Sequence, residues 1–143
     1  MSPLADISHV IQLAIAPVFM LTAIGTVINV LASRLGRAVD RRRVLMATLP
    51  KLEGEIAVLG RREMEFQVRR VRLIYHAIVM AVASALLVCL LISLAFLDAF
   101  VRMDLARFVA VLFILSMVVL TASLAIFLRE IFLAVDSPRA PIL

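Results

Sequence analysis

Apolar residues fill three long runs, residues 11–32, 73–96 and 108–128. The first and third contain no acidic, basic or histidine residue, and the second only His76, close to its start. About 20 helical residues cross about 30 Å of hydrocarbon, so each run is long enough to span a bilayer. The runs are continuous rather than alternating, which excludes the strands of a membrane barrel. Helices are what a bilayer demands, because it offers no water to an open backbone. The predicted fold class is all-α, an integral membrane protein with three transmembrane helices.

Residues 33–72, between the first two runs, are polar but still patterned. Leu31, Leu35, Val39, Leu45 and Leu49 recur at roughly helical spacing before Pro50, and Leu52, Ile56, Leu59, Phe66 and Leu73 do so after it. Pro50 is the one strong breaker, with Thr48 and Leu49 just before it. The first helix is therefore expected to continue to about residue 47 and turn near Pro50. A second helix then runs unbroken into the next span. The first two spans thus extend into a cytoplasmic helical hairpin, residues 33–72, whose arms reach about 22–33 Å at about 1.5 Å per residue. Within it Glu65 lies three or four residues from Arg61 and Arg69, as Asp40 does from Arg37 and Arg43. Such pairs steady a solvated helix by only about 0.2–0.5 kcal/mol each. No internal repeat is visible, and residues 1–143 read as a single membrane domain.

Composition sharpens this picture. Of 143 residues 64% are hydrophobic and 17% charged, with a mean hydropathy of +1.12. Soluble domains are about 45–50% apolar and about 25% charged, so an ordinary soluble enzyme and a disordered tail are both excluded. The formal charge of +5 would suggest nucleic acid in a soluble protein. Here, however, eleven of the fifteen basic residues lie within 33–72. Lys and Arg resist translocation, so that segment is expected in the cytoplasm. The N-terminus and residues 97–107 then lie outside, and the C-terminus with Arg129 and Arg139 inside. The first residues carry no basic stretch, so no cleaved signal peptide is expected. Cys89 stands alone, and no intramolecular disulfide is possible.

The sequence contains none of the HExxH, CxxC, GxSxG, GxGxxG or P-loop motifs. No enzyme activity, cofactor or metal is expected. His9 and His76 fall on opposite sides of the membrane and cannot share a metal within one protomer.

The most structured polar signal is a stripe on the first span. At about 100° per residue, Thr22, Thr26, Asn29 and Ser33 fall within about 60° of one another. Gly36, Asp40 and Ser8 extend the stripe, and Gln12 sits beside it. It can line an aqueous pore, or act as packing glue between helices, with Gly25 allowing close approach. Pro17, within the same span, lacks a backbone donor and is expected to kink the helix. In the second span Ala77, Ala81, Ser84 and Ala85 form a small-residue face suited to close helix contact, and Ser116 and Ser123 are placed to do likewise on the third. Arg34, Arg37, Arg41, Arg42 and Arg43, with Asp40 among them, follow the first span directly. Anionic headgroups attract each such arginine by about 1 kcal/mol. A ring of the same arginines about an oligomer axis would instead favour anions.

The stretch Arg34-Leu35-Gly36-Arg37-Ala38-Val39-Asp40-Arg41-Arg42-Arg43, following Ala16-Pro17-Val18-Phe19-Met20 and Asn29-Val30-Leu31-Ala32-Ser33, resembles a bacterial membrane family known as domain of unknown function 2721. The resemblance covers nearly the whole chain and implies a small helical protein of the bacterial inner membrane. It brings no activity and no functional residues. Three helices cannot enclose a water-filled path, so transport requires an oligomer or a partner subunit. Spans without charge also argue against a proton-coupled carrier. Two expectations follow. One is a homo-oligomeric, channel-like assembly with the polar stripe toward the axis and an arginine-rich vestibule. The other is a non-conducting scaffold or accessory subunit whose basic hairpin binds anionic lipid or a cytoplasmic protein partner.

Overall fold

The computed structural model describes residues 3–101 and 104–136. These form three helices, α1 (Pro3–Thr48), α2 (Gly54–Val101) and α3 (Ala106–Val135), with a 3-10 turn at Leu49–Lys51. All three are long and apolar enough to cross a membrane. α1 continues through Pro17.

Burial along each helix keeps a seven-residue period. In α1 the buried positions are Pro17, Ile24, Leu31, Ala38 and Leu45. In α2 they alternate in steps of three and four, Gly60, Glu63, Gln67, then Ile74, Ala77, Ala81, Ser84, Val88 and Leu91, with half-buried Arg70 at the one gap. In α3 they are Ser116, Ser123 and Glu130. A 3.5-residue period is the pattern of helices packed as in a left-handed coiled coil.

The chain packs as two compact units. The first comprises residues 1–28 and 79–122. Its core is Ile24, Ala81, Val88 and Leu91, surrounded by residues that include Met20, Leu21, Ile28, Ala85, Val109, Leu112 and Leu120. Small residues at 81 and 84 let α3 approach α2 closely enough for a side chain to reach backbone. The Ser84 hydroxyl donates to the Ser116 carbonyl at 2.8 Å, and the Ser116 hydroxyl to that of Phe113 at 2.8 Å. At the end of this unit Asp98 Oδ1 accepts the Leu105 backbone N–H at 3.2 Å, which caps the turn into α3.

The second unit comprises residues 29–78 and 123–143. Leu31, Ala38, Leu45, Ile74 and Ala77 are its buried apolar residues. The Ser123 hydroxyl donates to the Ala77 carbonyl at 2.7 Å, repeating the contact made by Ser84. The α1–α2 turn is local chemistry. Pro50 fits the 3-10 turn, Gly54 takes φ 64°, and buried Gly60 faces Leu49 and Leu52, whose methyls would lie 3.1 and 3.4 Å from an added Cβ. Gly54 is where a residue with a Cβ would be strained.

Some sequence expectations shift. The helices reach Val101 and resume at Ala106, so the connection expected over 97–107 is much shorter. α3 runs to Val135, seven residues beyond the apolar run. Leu35, Val39 and Phe66 are only half-buried and Ile56 is exposed, because the buried edge follows the seven-residue period rather than the largest apolar residues. Arg139, expected on the same side as Arg129, lies outside the described residues.

Candidate functional site, a buried arginine–glutamate cluster

The second unit places carboxylates where a helical bundle ordinarily puts leucine. Glu130 is fully buried on α3, two residues past the last apolar run. Arg34 of α1 donates from Nη1 to its Oε2 at 3.1 Å. Arg70 of α2 donates from Nε and Nη2 to its Oε1 at 3.1 and 2.9 Å. One acid thus ties together all three helices. The Arg34 guanidinium also lies 5.2 Å from the centre of the Phe127 ring, a cation–π contact worth about 0.5–1 kcal/mol at an exposed site.

A second pair lies one heptad along. Arg41 sits seven residues after Arg34, so it projects from the same edge of α1. It donates from Nε and Nη2 to Oε1 and Oε2 of buried Glu63 at 2.7 and 3.1 Å. This two-point geometry suits the planar guanidinium and is among the stronger hydrogen-bonded pairings. The hydrogen bond to Glu63 raises the Arg41 pKa above its ordinary value; burial works against it, and the Glu63 charge adds to the rise. Between the two pairs along α2 lies Gln67, buried with its Oε1 unpartnered, and Arg42 Nε is likewise buried without an acceptor.

The arginine stretch read as one cluster therefore divides by face. Arg34 and Arg41 point into the unit. Arg37 and Arg43 are exposed, and Arg43 makes only a 4.0 Å contact with exposed Asp40. Arg42 is half-buried. Of the pairs expected within single helices, Arg43–Asp40 is the one found among the described residues.

On the polar stripe, Thr22, Thr26, Asn29 and Ser33 are all exposed. Thr22 and Thr26 donate back to the carbonyls of Val18 and Thr22, at 3.4 and 3.1 Å. Ser33 accepts from Arg37 Nη1 at 3.0 Å. Asn29 makes no side-chain hydrogen bond among the described residues. The small-residue face behaves differently, with Ala77, Ala81 and Ser84 buried and Ala85 half-buried. His76 bonds the Arg72 carbonyl through Nδ1 at 2.7 Å. Among the described residues no group of three His, Cys, Asp or Glu is placed to hold a metal ion.

Glu130, Glu63 and Arg70 escaped the reading of the sequence. Their signal was present: Glu130 is a lone acid directly after an apolar run, and Glu63 and Arg70 fall on the 3-4 spacing of Gly60, Gln67 and Ile74. An ionisable residue at such a place needs a partner.

These features define a class, a small all-helical protein with three helices suited to crossing a membrane and buried Arg–Glu pairs at one end of the apolar runs. The chain belongs to the family described as protein of unknown function (DUF2721), whose model matches residues 14–140 and so includes the Glu130 cluster and the Arg41–Glu63 pair. No curated protein and no solved structure matches it.

Proposed function

We propose that this protein is an integral membrane subunit that assembles with copies of itself through the outer face of α1, forming a channel-like ring with that face toward the axis. The observation that carries the reading is a second seven-residue seam on α1. Thr22, Thr26, Asn29, Ser33, Gly36 and Asp40 follow one another at alternating steps of four and three, and all are exposed. At 3.5 residues per turn this seam lies about 150–160° around the helix from Ile24 and Leu31, so the protomer's own helices leave it uncovered. Asn29 is the pressing case. An amide left without a partner in hydrocarbon costs about 2–7 kcal/mol, and a polar contact between membrane helices is worth about 1–2 kcal/mol. A neighbouring α1, or water along an axis, relieves that cost. The excess of Arg in residues 33–72 favours a cytoplasmic location for that segment, with the N-terminus outside. The family resemblance favours the bacterial inner membrane.

The second reading is a non-conducting scaffold, and one observation favours it. Arg34 and Arg41 are committed to buried glutamates, so fewer arginines remain to line a vestibule. Native mass spectrometry of the full-length protein in nanodiscs, with ion flux from liposomes, separates the readings. A ring of four or more subunits whose flux falls in Asn29→Leu while the ring persists supports the channel. A ring without flux supports the scaffold. A monomer overturns self-association altogether.

A further inference from the structure

Beside the Glu130 cluster, the second unit has a cleft of about 510 Å³ whose lining includes Arg69 and Arg72 from α2, Arg129, Phe132 and Leu133 from α3, and Asp136 just past the end of α3. Helical spacing brings each set to one face. Arg69 and Arg72 are three apart, and Arg129, Phe132 and Leu133 are separated by three and one. Arg34, Arg41 and Arg70 are held by carboxylates, but Arg69, Arg72 and Arg129 have no ion-pair partner among the described residues. Asp136 is the one carboxylate on the lining, so the cleft carries a surplus of two positive charges.

Its place along the helices matters as much as its charge. Arg129 directly follows the apolar run of α3, and Arg72 directly precedes that of α2. The arginines therefore sit at the level where hydrocarbon gives way to headgroups. Phe132, 65% exposed, stands beside them. A wall that is cationic on one part and apolar on another suits an amphiphile better than a small hydrated anion. The volume lies within the usual range of small-molecule sites, about 300–1,000 Å³.

We propose that this cleft binds the phosphate of an anionic phospholipid, with Arg69, Arg72 and Arg129 around the phosphate oxygens and Phe132 and Leu133 against the glycerol and upper acyl chain. Guanidinium groups match phosphate oxygens in planar, two-point fashion. The site lies within the protomer and does not depend on the oligomer proposed above.

The test uses full-length protein in nanodiscs of equal phosphatidylglycerol and phosphatidylcholine, with retained lipid read by native mass spectrometry. Each arginine contributes about fivefold in affinity at an anionic surface, so R69Q/R72Q/R129Q is expected to lose about a hundredfold of the preference for phosphatidylglycerol. R129Q alone loses about fivefold, and decides the matter if the triple variant does not fold. R61Q/R62Q, which removes exposed arginines of α2 ten and eleven residues before Arg72, leaves the preference unchanged. The proposal is overturned if R129Q and the triple variant retain the lipid as wild type does. It is also overturned if R61Q/R62Q loses as much as the triple variant, since the attraction is then general surface charge. Displacement of the lipid by millimolar inorganic phosphate would identify a free-phosphate site and overturn the lipid assignment.

Discussion

Glu130→Ala removes the one carboxylate that joins Arg34 and Arg70, and the structure sets how much that costs. Breaking a buried pair by deleting one partner typically costs about 3–5 kcal/mol, because a charge is left desolvated. Glu130 is wholly buried, yet the side chains of Arg34 and Arg70 keep 29% and 19% of their exposure. Both guanidinium groups recover some hydration once released, so the expected loss is about 2–4 kcal/mol. Glu130→Gln keeps the volume and one acceptor oxygen but not the charge, and should fall between Ala and wild type. The contrast is Asp40→Ala, whose pair with Arg43 is at least three-quarters exposed on both sides. That change should cost about 0–0.5 kcal/mol. Unfolding of the full-length protein in mixed micelles by added dodecyl sulfate, followed by circular dichroism, reads these differences. Glu130→Ala and Arg70→Ala combined should cost less than their sum, since the pair is lost only once. The reasoning fails if Glu130→Ala lies within about 0.5 kcal/mol of wild type, or costs no more than Asp40→Ala.

Two further outcomes follow from the packing. Glu63→Ala leaves Arg41 without its two-point partner and should destabilise by about 2–4 kcal/mol in the same assay. Because Glu63 raises the Arg41 pKa, the arginine's share of that stability is full below its unfolded pKa. It should therefore be flat from neutral pH into mild alkali and decline only in strong alkali, so a wild-type titration in which that share is lost in mild alkali would count against the pair. Ala81→Leu forces three extra carbons into a position with no exposed surface and should cost about 1–3 kcal/mol; a variant as stable as wild type would mean that the Ile24–Val88 core is loosely packed.

The three helices and the turn were legible because their signals are local. Runs 11–32, 73–96 and 108–128 carry the helices, and Pro50 falls within the turn at Leu49–Lys51. What was not legible is which face of each helix turns inward. The large apolar residues after Pro50 point one way by simple periodicity, yet Ile56 is exposed while Glu63 and Gln67 are buried. Hydrophobicity cannot flag an inward glutamate, because its burial depends on an arginine contributed by another helix. Glu63 and Arg41 are 22 residues apart, and Glu130 and Arg34 are 96 apart. Spacings of three and four within one helix suggested surface pairs instead, and those are the weakest kind. The serines were half legible: their seven-residue interval was visible, but not that Ser123 reaches the Ala77 carbonyl.

The division of arginines between the two faces has a physical consequence of its own. A buried Arg–Glu pair often adds little net stability over a well-packed apolar pair, but it penalises every misregistered packing in which one charge loses its partner. Arg34 and Arg41 lie one heptad apart on α1, and their acids lie on α3 and α2, so a shift of one turn by any of the three helices strands a buried carboxylate. The pairs therefore fix rotation and register together. With register fixed, Arg69, Arg72 and Arg129 are held around one cleft, and the face of α1 bearing Asn29 and Ser33 is held outward. Apolar side chains of similar size could hold the helices together. They would not hold those two faces in place as strictly.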